Sequence, residues 1–115
     1  MDTLPTKYLF PALVIAFVGW RFESALRVRR RLPALIAAGA QLIDVRSPAE
    51  FAGGHFAGSR NMPLDALGDA LQALDPTRPV VVCCASGTRS GIASRILRRK
   101  GFRQVVNAGS WRNLG

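Results

Sequence analysis

The sequence predicts an α/β fold: a parallel sheet flanked by helices, preceded by an N-terminal apolar helix. Three observations predict it. Short β-branched or apolar runs of four to six residues recur, amphipathic helical patterns separate them, and an unbroken apolar run lies near the N-terminus. Strands that alternate with helices pair in parallel, and such a sheet needs cover on both faces.

The first element is YLFPALVIAFVGW, residues 8–20, in which all 13 positions are apolar, Gly or Pro. A straight helix needs ~20 residues to cross a bilayer. Here Leu4 and Phe22 extend the run, Lys7 and Arg21 can snorkel, and Tyr8 and Trp20 stand where interfacial aromatics belong. Arg21, Arg27, Arg29, Arg30 and Arg31 follow against Glu23 alone, a net of +4 over residues 21–31. The positive-inside rule puts that side in the cytoplasm. The expectation is a single-pass anchor over residues 8–22 in the cytoplasmic membrane, with the remainder facing the cytoplasm. A cleaved secretory signal, and hence export to the periplasm, is the main alternative, but the run ends in GWRF without a small-x-small site. A buried core helix and an interfacial helix also compete; the interfacial helix would need a polar face that this run lacks.

Residues 24–38 read as helix, with Leu26, Leu32, Leu35 and Ile36 apolar, Pro33 a point of restart and Gly39-Ala40 a stop. QLIDV (41–45) reads as a buried strand. Ser47, Pro48 and Glu50 form a helix-start signature. Leu64, Leu67, Leu71 and Leu74 give an amphipathic helix over 64–74. PVVVCC (79–84) is a central strand, residues 90–100 a helix with Ile92, Ile96 and Leu97 inward, and QVVN (104–107) a last strand.

A length of 115 residues leaves room for one domain and an appendage, divided here as 1–31 (anchor and basic patch) and 32–115. Half the residues are apolar, which excludes wholesale disorder. Cys83 and Cys84 are adjacent and the only cysteines, so no disulfide framework exists and a reducing compartment fits. The net charge of +9 is compatible with a membrane surface or an anionic substrate. No nucleic-acid module is present, and nucleic acid is not an expected partner. One His and two adjacent Cys do not make a zinc site, so neither metal nor organic cofactor is implied.

The chemistry-bearing stretch is VVVCCASGTRSGIASRIL. A buried strand ends at Cys84, a loop of Ala85, Ser86, Gly87, Thr88 and Arg89 follows, and a helix begins near Ser90. Ligands of open α/β sheets bind at the carboxyl ends of strands. Small residues let the loop curl, Gly87 can take a positive φ, and loop N–H groups can then turn towards an anion at a helix N-terminus. A thiol placed there is favoured as thiolate, its reactive form. Arg89 adds a permanent charge for the loop or the substrate. The bland alternative makes Cys84 a small buried hydrophobe at a strand end.

CASGTRS resembles the active-site loop of the rhodanese family. LIDVRSPAEFAGGHFAGSRNMPL (42–64) is similar to the family's first signature, with Asp44, Arg46, Glu50, Gly54, His55, Gly58, Asn61 and Pro63 in place, and VVNAGSW (105–111) resembles its closing signature. The likeness covers about residues 33–115. It implies a three-layer rhodanese-like domain and a sulfurtransferase. In that role Cys84 takes the outer sulfur of thiosulfate or a persulfide, holds it as a persulfide, and passes it to a nucleophilic acceptor, which can be a protein. Family phosphatases carry one more loop residue, so the six residues from Cys84 to Arg89 fit sulfur; phosphatase or arsenate-reductase chemistry and a non-catalytic docking module are the rivals. Two-domain thiosulfate enzymes of the family carry basic residues where this chain has Glu50 and Ser86, which makes a persulfide as fair a donor as thiosulfate.

Other residues invite roles but have simpler readings. Cys83 alternates with Cys84 along a strand and faces the opposite side, into the core. His55 orders a turn in the family. Asp44 and Arg46 make an ion pair or order a turn, and Glu50 pairs with an Arg or tunes the pocket; these three support the site. Arg95, Arg98, Arg99, Lys100 and Arg103 form a solvated basic face, which can also meet anionic lipid or an acidic partner.

Overall fold

The computed structural model describes residues 5–115; Leu4, counted in the apolar extension, lies outside them. A turn of 3-10 helix at Thr6–Tyr8 leads into helix α1, Leu9–Ala37. Then come strand β1 (Gln41–Asp44), helix α2 (Pro48–Ala52), strand β2 (Arg60–Asn61), short helix α3 (Leu67–Ala70), strand β3 (Val80–Cys84), helix α4 (Thr88–Arg99) and strand β4 (Val105–Ser110). A 3-10 turn at Trp111–Leu114 closes the chain.

The sheet is parallel throughout, in the order β2-β1-β3-β4. β1 and β3, the two inner strands, are buried at every position. One face carries Ile43, Val45, Val80, Val82 and Cys84 against Leu67, Leu74, Ala93, Leu97 and Phe102. The other carries Leu42, Val81, Cys83, Val106 and Ala108 against Val28, Leu32 and Leu35 of α1 and against Leu114. These are the three layers that the alternating pattern predicts. Each fully buried aliphatic side chain contributes about 1.5–3 kcal/mol.

α1 is about 43 Å long and has two halves with different surroundings. Val28, Leu32 and Leu35 recur at helical spacing and pack on the sheet. Phe10, Leu13, Ile15, Phe17, Val18 and Trp20 are all more than half exposed, which removes the buried-core alternative for the apolar run. The helix is long and apolar enough to cross a membrane, by a test that a signal sequence also passes. Pro33 does not restart it. The ring removes one donor, but Pro33 and Arg29, whose carbonyl loses its partner, both lie on the exposed face, so the freed carbonyl is not buried. Gly39, at φ +85°, ends the helix as the Gly39-Ala40 pair predicts, and the Ala40 amide bonds back to the Leu35 carbonyl.

Four other expectations need correction. The helix expected over 64–74 is α3 flanked by 3-10 turns at Leu64–Ala66 and Leu71–Ala73. Gly68 and Asp69 are weak helix formers, although Leu67 and Leu74 are still buried. α4 starts at Thr88, two residues early, because Gly87 already provides its cap. Ile92 is 43% exposed; Ser90, Ala93, Ser94 and Leu97 form the face that meets the sheet. The last strand runs on to Ser110 through a register shift between β3 and β4, where Val82 pairs with Asn107 and Cys83 with Gly109. β2 went unrecognised, since two residues carry no periodicity.

Candidate active site

Cys84 ends the central strand β3, and α4 begins four residues later. Between them the chain turns through Ala85, Ser86 and Gly87, with Gly87 at φ +108°. Only glycine takes that angle freely. A Cβ there would stand 3.4 Å from the Cα of Gly109, in van der Waals contact, so it is the left-handed angle that calls for glycine.

The turn points its donors inward. The Gly87 amide donates to Cys84 Sγ at 2.9 Å, and Ser90 Oγ lies 3.3 Å from the same sulfur. Burial alone raises the thiol pKa, but the Ser90 hydroxyl and the amides of Ser90, Gly87 and Ser86 outweigh it and hold the thiol below its ordinary value. Cys84 has no exposed surface. The sulfur therefore sits covered beneath the loop, with amide and hydroxyl donors favouring its thiolate form.

From the sequence, Ser90 marks only a helix start. Its hydroxyl is also 2.7 Å from Asn107 Oδ1 and 3.1 Å from the Gly87 carbonyl. Asn107 Oδ1 in turn accepts from the Gly109 amide at 2.9 Å. The spacing of Ser90, six residues after Cys84 in the first turn of a helix, was a signal available for Ser90; nothing in the sequence pairs it with Asn107, which arrives from the neighbouring strand.

Cys83 shows the opposite electrostatics from the opposite face. It is buried, and desolvation, followed by the nearby Asp44 carboxylate, pushes its thiol up to about 12. Adjacent cysteines thus differ because a strand alternates its faces.

Arg89 turns away from the sulfur. Its guanidinium makes a two-pronged pair with Glu50, at 2.6 and 2.9 Å. Glu50 is held down to about 2, first by Arg89 and then by the Ser47 amide. The Ser47–Glu50 capping box is present as the sequence predicts: Glu50 N donates to Ser47 Oγ, and Ser47 N to Glu50 Oε1, both at 3.2 Å. Of the loop residues, Ala85, Ser86 and Thr88 are exposed.

Asp44 and Arg46 are not brought to the sulfur. They form a buried pair at 2.7 Å, and Arg46 also donates to the Gly54 carbonyl and lies over the Trp111 ring. Asn61 donates to the carbonyls of Asp44 and Arg46, tying β2 to this corner. His55 bonds the Phe51 carbonyl at 2.8 Å and stacks on the Phe51 ring, a turn-ordering geometry. Among the described residues no three His, Cys, Asp or Glu side chains converge as a metal site requires.

A further contact links the loop to α1. Arg21 Nη2 donates to the Ser86 carbonyl at 3.3 Å, and a cavity of about 450 Å³ runs between Phe17, Trp20 and Arg21 on one side and Ser86–Thr88 on the other.

The family model for the rhodanese-like domain matches residues 29–113. The chain is 44% identical over 68 residues to the Bacillus subtilis (strain 168) protein YqhL, covering 59% of this chain and 54% of that one. It is 39% identical over 70 residues to the thiosulfate sulfurtransferase GlpE of Stutzerimonas stutzeri (strain A1501), covering 61% and 64%. The matches thus span less than two thirds of those relatives. Among solved structures, the human single-domain sulfurtransferase TSTD1 superposes with a TM-score of 0.63 at 32% identity, over 73% of this chain and 88% of that one. A rhodanese with anions from E. coli gives 0.61 at 34%, over 64% and 89%. The matched region holds Cys84, its loop and both buried faces of the sheet, and the chain belongs to the rhodanese-like domain family.

Proposed function

We propose that the chain is a sulfurtransferase that carries sulfane sulfur on Cys84. The carrying observation is the sulfur at the N-terminus of α4, accepting the Gly87 amide at 2.9 Å with its pKa lowered. The Cys84 thiolate attacks the outer sulfur of the donor; a new S–S bond forms, the donor's own S–S bond breaks, and sulfite or a thiolate leaves with the electron pair. An acceptor thiolate then attacks the terminal sulfur of Cys84–S–S⁻, and Cys84 departs as thiolate. Donors that stabilise the thiolate help the second step, because a thiol of lower pKa leaves faster. The two half-reactions give ping-pong kinetics. Because the sulfur is covered, the loop moves aside for each exchange.

The donor is thiosulfate or a persulfide. The Glu50 pair neutralises the one loop guanidinium that could hold a sulfonate, which leaves thiosulfate without a dedicated grip. The acceptor is a small thiol or a protein thiol. The apolar half of α1 anchors the domain at the cytoplasmic face of the membrane; its exposed side chains and the arginines that follow support this.

Intact mass after incubation with thiosulfate or a persulfide donor is the test. The protein should gain one sulfur, about 32 Da; Cys84→Ser should not, and Cys83→Ser should. A gain that persists without Cys84 would sink the assignment.

A further inference from the structure

The two basic clusters of the sequence lie some seventy residues apart, yet the fold brings them into one cavity. Its volume is about 430 Å³, and it is lined by Arg27 and Arg31 of α1, Arg98 of α4, Arg103 beyond it, and the outer edge of β4. Among the described residues no Asp or Glu lines it. The two ion pairs among those residues are Asp44–Arg46 and Glu50–Arg89, so no carboxylate is in ion-pair contact with any of these four guanidiniums; Glu23, one helical turn before Arg27, lines a neighbouring hollow with it and leaves Arg31, Arg98 and Arg103 unmatched. Arg98 is steadied by a bond to the Val105 carbonyl at 3.1 Å. Charges of one sign gathered around a concave, partly desolvated space repel one another and raise the local concentration of anions. Planar guanidiniums match phosphate oxygens in pairs.

The position of the cavity selects among anions. Arg27 stands five residues, about 7.5 Å along the axis, beyond Phe22, the last apolar residue of the run. The polar layer of one leaflet is about 5–7 Å deep. If α1 crosses the bilayer as proposed above, Arg27 stands at the outer edge of that layer, and because helix side chains tilt toward the N-terminus its guanidinium reaches back toward the lipid phosphates, with the exposed apolar side of α1 continuing beneath for the acyl chains.

We infer that the Arg27–Arg31–Arg98–Arg103 cavity is a binding site for the phosphate-bearing headgroup of an anionic phospholipid. The choice of lipid over a free anion rests on the anchor reading; the clustering of charge does not. Occupied, the site holds the catalytic domain against the membrane surface through α4 and β4 as well as through α1.

The test uses the full chain in non-ionic detergent, with native mass spectrometry reading retained lipid. Phosphatidylglycerol should be retained at one per chain and at least tenfold over phosphatidylcholine of the same acyl composition. Arg27→Gln with Arg103→Gln should lower retention by about tenfold or more, each alone by a smaller factor, while Arg99→Gln, an exposed residue outside the cavity, should leave it unchanged. Persulfide formation in the same samples reports that the variants are folded, and the single variants carry the result should the double one not fold. Equal retention of phosphatidylcholine, or no effect of the substitutions, overturns the site. Displacement of the lipid by an equal concentration of inorganic phosphate overturns the lipid and leaves a free anion as ligand. Carbonate release of the protein from membranes, with selectivity in detergent intact, overturns the anchor alone.

Discussion

Arg89 and Glu50 are 39 residues apart in the chain and meet through two contacts of 2.6 and 2.9 Å beside the loop that encloses Cys84. The pair decides what charge the loop shows to an approaching anion. Glu50 has its carboxyl lowered from 4.5 to about 2. A depressed folded-state pKa means that the pair is fully formed above pH ~4.5 and is lost only as pH falls through about 2. Throughout the working range, therefore, Arg89 is paired.

Glu50→Gln should free that guanidinium and keep the N-cap interaction of Ser47. The KM for thiosulfate should fall roughly two- to fivefold, since a dianion gains from an unpaired positive charge, with kcat little changed. The KM for a persulfide with an uncharged tail should not move. Steady-state kinetics with both donors decides it; an unchanged thiosulfate KM would place Arg89 outside the donor's path.

Ser90→Ala removes one of the donors that lower the Cys84 pKa. The pH profile of alkylation by iodoacetamide should shift upward, and the rate at neutral pH should drop several-fold. Stability should fall by only about 1 kcal/mol, the usual net worth of a hydrogen bond, because Asn107 Oδ1 keeps the Gly109 amide. A profile that stays in place would mean that the backbone amides alone hold the thiolate.

Cys83 titrates in the opposite sense. Its folded-state pKa is about 12 against an ordinary 9.0, so its contribution to stability is complete below pH ~9 and is lost as pH rises through about 12. Cys83→Val should flatten the loss of stability between those limits in urea melts. An identical alkaline decline in the variant would assign it to other groups.

Alkaline carbonate should leave the full chain in the membrane pellet, since the apolar half of α1 is largely uncovered among the described residues. Recovery in the supernatant would refute a spanning helix. A shortened chain lacking the apolar run would show cleavage of a signal instead.

The sequence by itself determined the layers and the place of Cys84. The apolar run at 41–45 and the β-branched run at 79–84 set the buried strands, the Cys-x-x-Gly-x-Arg pattern put Cys84 and the turn glycine at a strand-to-helix junction, and period-two alternation sent Cys83 to the other face. These are local properties, governed by backbone geometry over a few residues. Only the tertiary structure decided the rest: that Ser90 meets Asn107 across α4 and β4, that Glu50 takes up the charge of Arg89, that α1 runs through Pro33 to lie on the sheet, and that four arginines share one cavity. The Ser90–Asn107 contact needs α4 packed beside β4, and contacts between distant segments are set by how whole elements pack, which no short window of residues contains.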